Sequence, residues 1–293
     1  MKSIGFIGLG LMGSGFTKRF RHLGYRVVGY DIDPARIERA RQWGVEGAAS
    51  PKALCSKADT IGICVTTSHA VREAVSGDGG LISSGDLSGK TIIDFSTTEM
   101  AVTQEMAHAV EQAGGSFLDA PVSGGPGAAE SGSLAIVVGG PDTAVAALAP
   151  VLGKLGRATH MGPTGTGQAA KLVNQVLCLT NYCVVAEALR LAQAFGVDAA
   201  KIPHALEPGL ANSAVLQSVY PRMVEGDFAP RGYSRQVLKD LEMLQEAAKA
   251  QHLALPMSSQ ATTLFRMLVA QGKGELDGAA IVTLLPETGP KAG

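Results

Sequence analysis

Short apolar runs alternate with helix-like segments through the first half of the chain, and this alternation predicts a parallel β-sheet. A buried strand reads as a continuous apolar run of about four to eight residues between turn residues. Six runs fit that description: Ser3–Leu9, Arg26–Asp31, Thr60–Val65, Thr91–Phe95, Ser116–Asp119 and Leu134–Gly139. Strands that alternate with helices indicate an α/β domain with a doubly wound parallel sheet.

The pattern changes near residue 163. A turn-rich segment, 162–167, precedes a long and weakly charged run, Gln168–Phe195, and no strand-like alternation follows it. We predict domains 1–162 and 163–293, the second all-helical and joined to the first by this long helix. Because a helix that is apolar on most faces is buried by several neighbours, a second subunit is expected to cover it, in a homodimer or homotetramer. Shorter helices are expected at Asp198–Leu206, Ser213–Val224, Tyr233–Gln251 and Ser258–Gln271, with a frayed tail at Pro286–Gly293.

A glycine-rich turn follows the first predicted strand and opens the first predicted helix. Its residues are Gly8, Leu9, Gly10, Leu11, Met12 and Gly13. In such a turn the first glycine permits tight reversal, the second lets a pyrophosphate approach the backbone, and the third lets the helix pack on the sheet. The helix N-terminus offers free N–H groups to the phosphates. This context of strand, turn and helix predicts a dinucleotide site.

An acidic residue, Asp31, ends the second predicted strand, 18 residues after Gly13. A carboxylate at this place accepts hydrogen bonds from the adenosine ribose and repels a 2′-phosphate. No arginine is adjacent to Asp31 in the sequence, and the nearest that follows is Arg36. We therefore predict NAD as the cofactor in preference to NADP.

Composition narrows the classes of function. The 293 residues carry a formal net charge of −1 and 5% are aromatic, which argues against nucleic-acid binding. The four cysteines lack CxxC spacing and are predicted to be buried free thiols in a reducing cytosol, and the six histidines lack metal-ligand spacing, so no metal is predicted. The least polar stretch, Leu172–Ala186, is too short and too polar to span a membrane, so a cytoplasmic protein without membrane contact is expected.

Three segments carry candidate chemistry. Segment 119–126, DAPVSGGP, follows a predicted strand, and its serine hydroxyl and glycine N–H groups can hold a carboxylate, although an ordinary Pro/Gly loop explains it equally well. Lys171 lies one turn into the long apolar helix, where it either faces a cleft and transfers protons or reaches the surface near the helix start. Lys239-Asp240 is more commonly a charged patch on a surface helix.

Five motifs, in this order, resemble those of the β-hydroxyacid dehydrogenase family, which includes 3-hydroxyisobutyrate dehydrogenases and tartronate semialdehyde reductases. They are GFIGLGLMG, DFST at 94–97, DAPVSGG, GxGQxxKLxNQ at 165–175 and KDL at 239–241, and they cover nearly the whole chain. The likeness is closest to the tartronate semialdehyde reductase branch, through KLVNQ at 171–175 and GLANS at 209–213. The resemblance implies a Rossmann domain and NAD-dependent interconversion of a short 3-hydroxy acid with its semialdehyde.

The resemblance implies that Lys171 is the catalytic general acid/base, with Asn174 and Gln175 orienting it and the substrate hydroxyl. The implied anchors of the substrate carboxylate are Ser123, Gly124 and Gly125. The implied cofactor contacts, besides the glycine turn and Asp31, are Val65, Thr66 and Thr97 on the nicotinamide side and Lys239, closing from the helical domain. Many relatives carry Asn-Asn or Leu-Pro where this chain has Asn174-Gln175 or Val65-Thr66. These departures leave the substrate open.

Two alternatives to a hydroxyacid dehydrogenase stay open. The first is an imine reductase on the same scaffold, although such relatives usually replace the lysine with another proton donor. The second is a non-catalytic module that binds NAD. Candidate substrates of the dehydrogenase include tartronate semialdehyde, methylmalonate semialdehyde, succinic semialdehyde, 3-hydroxypropionate and threonate-like acids.

Overall fold

The computed structural model describes residues 3–287, which form two compact units. The first unit extends to Lys171 and the second begins at Leu172. The division falls inside a long helix, whereas the sequence analysis placed the domain boundary at the turn that precedes this helix. The predicted tail at Pro286–Gly293 lies outside the described residues from position 288 onward.

The first unit is built around a nine-stranded sheet. Its strands are β1 (Ser3–Ile7), β2 (Arg26–Tyr30), β3 (Glu46–Gly47), β4 (Thr60–Ile63), β5 (Thr91–Asp94), β6 (Ser116–Asp119), β7 (Val122–Ser123), β8 (Leu134–Gly139) and β9 (Gly156–Gly162). The spatial order is β3-β2-β1-β4-β5-β6-β8-β7, with β9 paired to β8. The first six strands are parallel, and β8 runs antiparallel to β6 and β7. The order 3-2-1-4-5-6 is that of a doubly wound dinucleotide-binding sheet, which confirms the predicted fold class.

Three strands were not predicted from the apolar pattern, for physical reasons. Strands β3 and β7 have two residues each, too few to show a pattern. Most residues of β9 are exposed, so this strand lacks an apolar run. The predicted strands before the site loops also extend one or two residues too far, because the chain leaves the sheet after Ile7, Ile63 and Asp94.

Helices cover both faces of the sheet, and each face has its own apolar core. The helices of this unit are α1 (Leu11–His22), α2 (Pro34–Arg41), α3 (Pro51–Cys55), α4 (Ser68–Ser76), α5 (Met100–Gln112), α6 (Gly125–Ser131) and α7 (Asp142–Leu152). Alternate residues of a strand point to opposite faces. Accordingly, Ile4 and Phe6 of β1 belong to one core and Ile7 to the other. On the first face, the rings of Phe16 and Phe95 stack at 4.7 Å.

The second unit is helical, as predicted. Its elements are the continuation of α8 (Thr166–Ala194), then α9 (Ile202–Leu206), α10 (Ala214–Ser218), α11 (Tyr220–Glu225), α12 (Ser234–Ala250) and α13 (Pro256–Leu268). Side chains of α8, α11, α12 and α13 form its core, with Leu189, Tyr220, Leu241 and Phe265 almost fully buried. The helix predicted at Ser213–Val224 is two helices, because Pro221 lacks the N–H that would continue the first one and instead lies in the opening turn of α11.

A buried ion pair fixes the segment that leads into α12. Arg222 Nη1 lies 3.0 Å from Asp277 Oδ1, and both side chains are almost fully buried. The other oxygen of Asp277 accepts hydrogen bonds from the N–H groups of Arg231 and Gly232. Because removing one partner of a buried pair leaves an uncompensated charge, this contact holds the start of α12 in place.

Helix α8 is longer than the stretch Leu172–Ala186 on which the sequence argument about membranes depended. With 29 residues it is, by length and composition alone, long and apolar enough to cross a membrane, and core helices of soluble proteins pass the same test. Its polar side chains bind other parts of the protein: for example, Arg190 donates to the carbonyls of Val282 and Leu285. These contacts attach α8 to the segment that contains Val282 and Leu285.

No disulfide bond joins any of the four cysteines in residues 3–287. Cys55 and Cys183 are buried as predicted, whereas Cys64 and Cys178 are only half-buried, so the prediction of four buried thiols was wrong for these two. Burial raises the pKa of the Cys183 thiol to about 12, which keeps it protonated and unreactive at neutral pH.

Candidate active site

The glycine turn lies where the strand order of the sheet reverses. Strand β1 has β2 on one side and β4 on the other, and ligands of open α/β sheets bind outside the carboxyl ends of the strands at such a point. Gly8 has φ +91°, and a Cβ there would lie 2.2 Å from the carbonyl oxygen of Cys64. A Cβ on Gly13 would lie 1.8 Å from the carbonyl oxygen of Gly8. The packing of the chain itself therefore requires glycine at both positions.

Gly10 has no such packing requirement. Its φ of −67° suits any residue, and the nearest heavy atom to a Cβ there would be Nη1 of Arg36, at 3.7 Å. Gly10 is also the N-cap of α1, so the free N–H groups of the first helical turn follow it directly. Open space beside a helix N-terminus suits an anion that approaches the backbone closely. These residues therefore fit the pyrophosphate of a dinucleotide.

Asp31 stabilises the glycine turn through hydrogen bonds to the backbone. Its Oδ2 accepts the N–H of Leu9 at 2.7 Å, and its Oδ1 accepts the N–H of Asp33 at 2.9 Å. Arg36 Nη1 lies 3.5 Å from the same carboxylate, because Asp33 caps α2 and one helical turn brings residue 36 back over it. The prediction of NAD noted that no arginine is adjacent to Asp31 in the sequence, but in the structure Arg36 lies beside its carboxylate.

The carboxylate of Asp119, the last residue of β6, caps the start of α8. Its Oδ1 accepts the N–H of Gly165 and its Oδ2 the N–H of Gln168, both at 2.8 Å. The side chain is fully buried, and burial raises its pKa although these N–H groups favour the charged form. A carboxylate at a helix N-terminus is stabilised by the helix dipole. Asp119 therefore fixes the end of the helix that bears Lys171.

A second buried carboxylate, Asp94, lies opposite Asp119 on the neighbouring strand. Its Oδ1 accepts the N–H of Ser96 at 2.9 Å and its Oδ2 accepts the hydroxyl of Thr98 at 2.6 Å. Burial raises the pKa of Asp94 to about 6, these hydrogen bonds oppose the rise, and the nearby charge of Asp119 adds to it. Asp94 thus shapes the loop that contains Thr97.

Lys171 is buried, with 8% of its surface exposed, so it does not reach the surface in the way one sequence interpretation held. Its Nζ donates a hydrogen bond of 2.8 Å to the carbonyl oxygen of Val122. Val122 precedes Ser123 in β7, so the structure brings the predicted proton donor beside the predicted carboxylate anchor.

The anchor segment itself has the openness that a ligand needs. Ser123 is half-buried, and its hydroxyl has no hydrogen-bond partner among residues 3–287. Gly124 has φ +131° and Gly125 has φ +74°, conformations that favour glycine. A Cβ on Gly124 would also lie 2.7 Å from the Cβ of Ala128. Two successive glycines therefore expose their backbone next to the Ser123 hydroxyl.

The predicted nicotinamide contacts lie in the loops after β4 and β5. The N–H of Val65 donates to the Ser96 hydroxyl at 3.0 Å, which joins these loops. Thr66 is exposed, and Thr97 is half-buried between two buried neighbours, Ser96 and Thr98.

The remaining predicted residues form a polar chain within the second unit. Asn174 Nδ2 donates to Gln175 Oε1 at 2.9 Å, and Gln175 Nε2 donates to the carboxylate of Asp240. The other carboxylate oxygen of Asp240 lies 2.8 Å from Lys239 Nζ. The Lys239-Asp240 pair is thus attached to α8, rather than being a charged patch independent of it.

No role was predicted for Asp119 or Gln168, although both lie in motifs that carry the family resemblance. In the sequence, each of them is a polar residue at the edge of an apolar segment that is predicted to be buried. A buried polar side chain needs partners, and this requirement alone marks such a residue as part of a network.

Two family models together span the chain. Residues 3–165 match the NAD binding domain of 6-phosphogluconate dehydrogenase, and residues 165–285 match the model described as "NAD-binding of NADP-dependent 3-hydroxyisobutyrate dehydrogenase". Human mitochondrial 3-hydroxyisobutyrate dehydrogenase is 34% identical, with 97% of this chain and 87% of that protein covered. The 2-hydroxy-3-oxopropionate reductase of Escherichia coli, a tartronate semialdehyde reductase, is also 34% identical, with 96% of each chain covered. This chain belongs to the β-hydroxyacid dehydrogenase family.

Solved structures agree with this membership. The 3-hydroxyisobutyrate dehydrogenase of Salmonella typhimurium superposes with a TM-score of 0.88 at 27% identity, covering 97% of this chain and 100% of that one. An imine reductase from Pseudomonas sp. has a TM-score of 0.65 at 22% identity, covers 97% and 99%, and shares the fold alone. The chain is therefore an NAD(P)-dependent hydroxyacid dehydrogenase that acts on CH–OH donors, and the family resemblance predicted from the sequence is confirmed.

The different environments of Gly10 and Gly13 give a paired test of the glycine turn. Gly13→Ala places a methyl group against backbone and should lower the melting temperature by several degrees, since ~1 kcal/mol shifts it by about 2–4 °C in a chain of this size. Gly10→Ala has room for its methyl group and should lower the melting temperature by no more than the cost of placing alanine at a helix N-cap. It should nevertheless weaken NADH binding, measured by fluorescence titration, by about tenfold or more if the methyl group displaces the pyrophosphate.

Gly127→Ala is the control, because a Cβ at that position meets no atom within 4 Å. Unchanged NADH affinity in Gly10→Ala would contradict the placement of the pyrophosphate.

Proposed function

We propose that this enzyme transfers a hydride reversibly between NAD(H) and a short 3-hydroxy acid or its semialdehyde. The observation that carries the proposal is the position of Lys171, whose ammonium group lies 2.8 Å from the carbonyl of Val122 and hence beside Ser123. The names of the human and Escherichia coli relatives, a 3-hydroxyisobutyrate dehydrogenase and a 2-hydroxy-3-oxopropionate reductase, support a small hydroxy acid as the substrate class.

The substrate carboxylate is held by the Ser123 hydroxyl and the backbone N–H groups of Gly124 and Gly125. Binding of the carboxylate at this position places the hydroxyl-bearing carbon of the substrate near Lys171 Nζ. During oxidation the neutral amine of Lys171 accepts the hydroxyl proton, and during reduction its ammonium form returns a proton to the carbonyl oxygen. Positioned proton transfer of this kind is typically worth about 10²–10⁴-fold in rate.

The dinucleotide, when bound, supplies the hydride acceptor or donor, and its pyrophosphate fits the cradle at Gly10. Val65, Thr66 and Thr97 are proposed to orient the nicotinamide side, and Lys239 is proposed as a further cofactor contact. Asn174 and Gln175 lie three and four residues after Lys171 on α8, and are proposed to orient the lysine and the substrate hydroxyl. Their mutual hydrogen bond and the bond from Gln175 to Asp240 hold both amides in one orientation.

The alternative of an imine reductase has less support, because Lys171 occupies the position at which such relatives usually carry another proton donor. A non-catalytic NAD-binding module would need neither a buried lysine nor an adjacent carboxylate anchor. The family membership of the chain also argues against both.

Replacing Lys171 tests the proposed chemistry directly. Lys171→Met keeps the aliphatic stem and removes the proton-carrying group, so kcat should fall about 10²–10⁴-fold. NADH affinity should stay within about twofold, because the cofactor contacts do not include this amine. The assay is a steady-state panel of short hydroxy acids with NAD and of semialdehydes with NADH.

Lys154→Met is the control, since it makes the same change at an exposed lysine that bonds to the Tyr25 hydroxyl, away from the site. Wild-type turnover by Lys171→Met would refute the mechanism. Turnover of cyclic imines, with none of hydroxy acids, would favour the imine reductase. Tight NADH binding without turnover of any substrate would favour the binding module.

We propose NAD as the preferred cofactor, on the basis of Asp31 and not on the absence of an arginine. The carboxylate holds Arg36 by charge, and Asp33 also lies 3.4 Å from this guanidinium, so Arg36 is engaged by two acids. A 2′-phosphate at this place would face the charge of Asp31 and compete with both acids for Arg36.

Asp31→Asn should reduce the preference for NAD, measured as the ratio of kcat/KM with NAD and with NADP, by about tenfold or more. The neutral amide keeps a hydrogen-bond acceptor while it releases Arg36 for a phosphate. The double variant Asp31→Asn/Arg36→Met should lose the gain with NADP. Equal use of both cofactors by the wild type would contradict the role of Asp31.

We propose that α8 also forms an interface with a second copy of the chain. Four of its apolar side chains are exposed, Val173, Leu177, Val184 and Leu191, and so is Phe195, directly after the helix. At 3.6 residues per turn these positions fall within about 40° of one another around the helix axis, which makes one apolar stripe. Contiguous exposed apolar surface of this kind is characteristic of interfaces.

Introducing charge into this stripe tests the interface. The double variant Leu177→Glu/Leu191→Glu should convert a dimer or tetramer to smaller species in analytical ultracentrifugation, because burying the new carboxylates is unfavourable. Met257→Glu, an exposed apolar position of α13, is the control and should not change the mass. A monomeric wild type, or a double variant of unchanged mass, would overturn this proposal.

A further inference from the structure

Gln168 is a buried polar side chain that the proposed chemistry does not use. It lies in the first turn of α8, three residues before Lys171, and only 1% of its surface is exposed. Buried amides are retained where their hydrogen bonds are satisfied, so the partners of Gln168 indicate what it does.

Gln168 makes three hydrogen bonds, two to the loop after β5 and one to the end of β6. Its Oε1 accepts the N–H of Thr98 at 3.0 Å, and its Nε2 donates to the carbonyl of Ser96 at 2.9 Å. Its backbone N–H donates to Asp119 at 2.8 Å. One residue therefore binds the start of the lysine helix to the loop after β5 and to the end of β6.

The loop after β5 is the one that bears a proposed cofactor contact. Thr97 lies between the two residues that the Gln168 amide binds. The Ser96 hydroxyl also accepts the N–H of Val65, so the loop after β4 is attached to the same point. Both proposed nicotinamide loops are thus connected through Ser96 to the helix that carries the proton donor.

We propose that Gln168 is a positioning residue that fixes the position of Lys171 relative to the loops bearing Val65 and Thr97. The proton donor and the nicotinamide contacts are thereby held in a constant arrangement. This inference rests on the proposed hydride transfer. A helix start released from these loops would shift Lys171 with it, and a misplacement of about 1 Å can reduce a rate 10²-fold.

Gln168→Met removes both hydrogen bonds of the side-chain amide while it keeps the length of the side chain. At a temperature well below unfolding, kcat per folded enzyme should fall by about tenfold or more, and the NADH dissociation constant should rise by about threefold or more, through misplacement of the loops. Gln193→Met is the matched control, because it makes the same change on the same helix at a residue that instead contacts Arg190. It should alter neither quantity.

Gln168→Glu adds a pH signature. When protonated, the new carboxyl group can still accept from Thr98 N–H and donate to the Ser96 carbonyl, but when ionised it loses the donor. The charged groups around it are Asp119, which binds its backbone N–H, Asp94, which binds the same loop at Ser96 and Thr98, and Lys171, three residues later on its own helix. Its kcat, divided by that of the wild type at each pH, should be highest at low pH and fall as pH rises, whereas the same ratio for Gln168→Met should not fall with pH.

If Gln168 has only a structural role, Gln168→Met will have a lower melting temperature, but its kcat per folded enzyme and its NADH affinity will stay within about twofold of wild type. That result would overturn the proposal. A loss shared by Gln193→Met, or unchanged NADH affinity, would overturn it as well. Failure of the proposed function is a separate outcome, namely a wild type that turns over no substrate of the panel. In that case the NADH titrations of the two variants still decide whether Gln168 positions the cofactor loops.

Discussion

The candidate site depends on one buried interaction, the carboxylate of Asp119 at the N-terminus of α8. Strand β6 delivers this carboxylate to the carboxyl edge of the sheet, and the N–H groups of Gly165 and Gln168 bind it there. The packing is so close that a Cβ on Gly167 would lie 2.8 Å from Asp119 Oδ2. Because the helix is fixed at its first turn, Lys171 one turn later reaches the carbonyl of Val122. The position of the proton donor therefore follows from how a strand end caps a helix.

The glycine turn illustrates how packing and binding requirements are divided among similar residues. Gly8 and Gly13 are required by contacts within the chain, whereas Gly10 faces open space. All three look alike in the sequence, and the difference is visible only once the neighbouring backbone is in place. The same holds for Asp31, which braces the turn through Leu9 while it holds Arg36.

Local patterns were sufficient to predict much of the fold and part of the site. The six apolar runs and the glycine turn gave the parallel sheet, because buried strands must be apolar and a phosphate-binding turn must lack side chains. Strand β9 was missed because its residues are exposed, and the contact of Arg36 with Asp31 was missed because a helical turn creates it. Asp119 and Gln168 were missed because their partners are 46 to 72 residues away in the chain, and a pattern read along the sequence does not contain such pairings.

The central claim is that Lys171 transfers the proton to or from a substrate whose carboxylate is bound at Ser123. The most direct test is a crystal structure of the enzyme with NAD and an unreactive short hydroxy-acid analogue. Lys171 Nζ should lie within about 3 Å of the hydroxyl oxygen of the analogue, with the carboxylate on the Ser123 hydroxyl and the N–H groups of Gly124 and Gly125. A carboxylate bound elsewhere, or a Lys171 that contacts no substrate oxygen, would contradict the account.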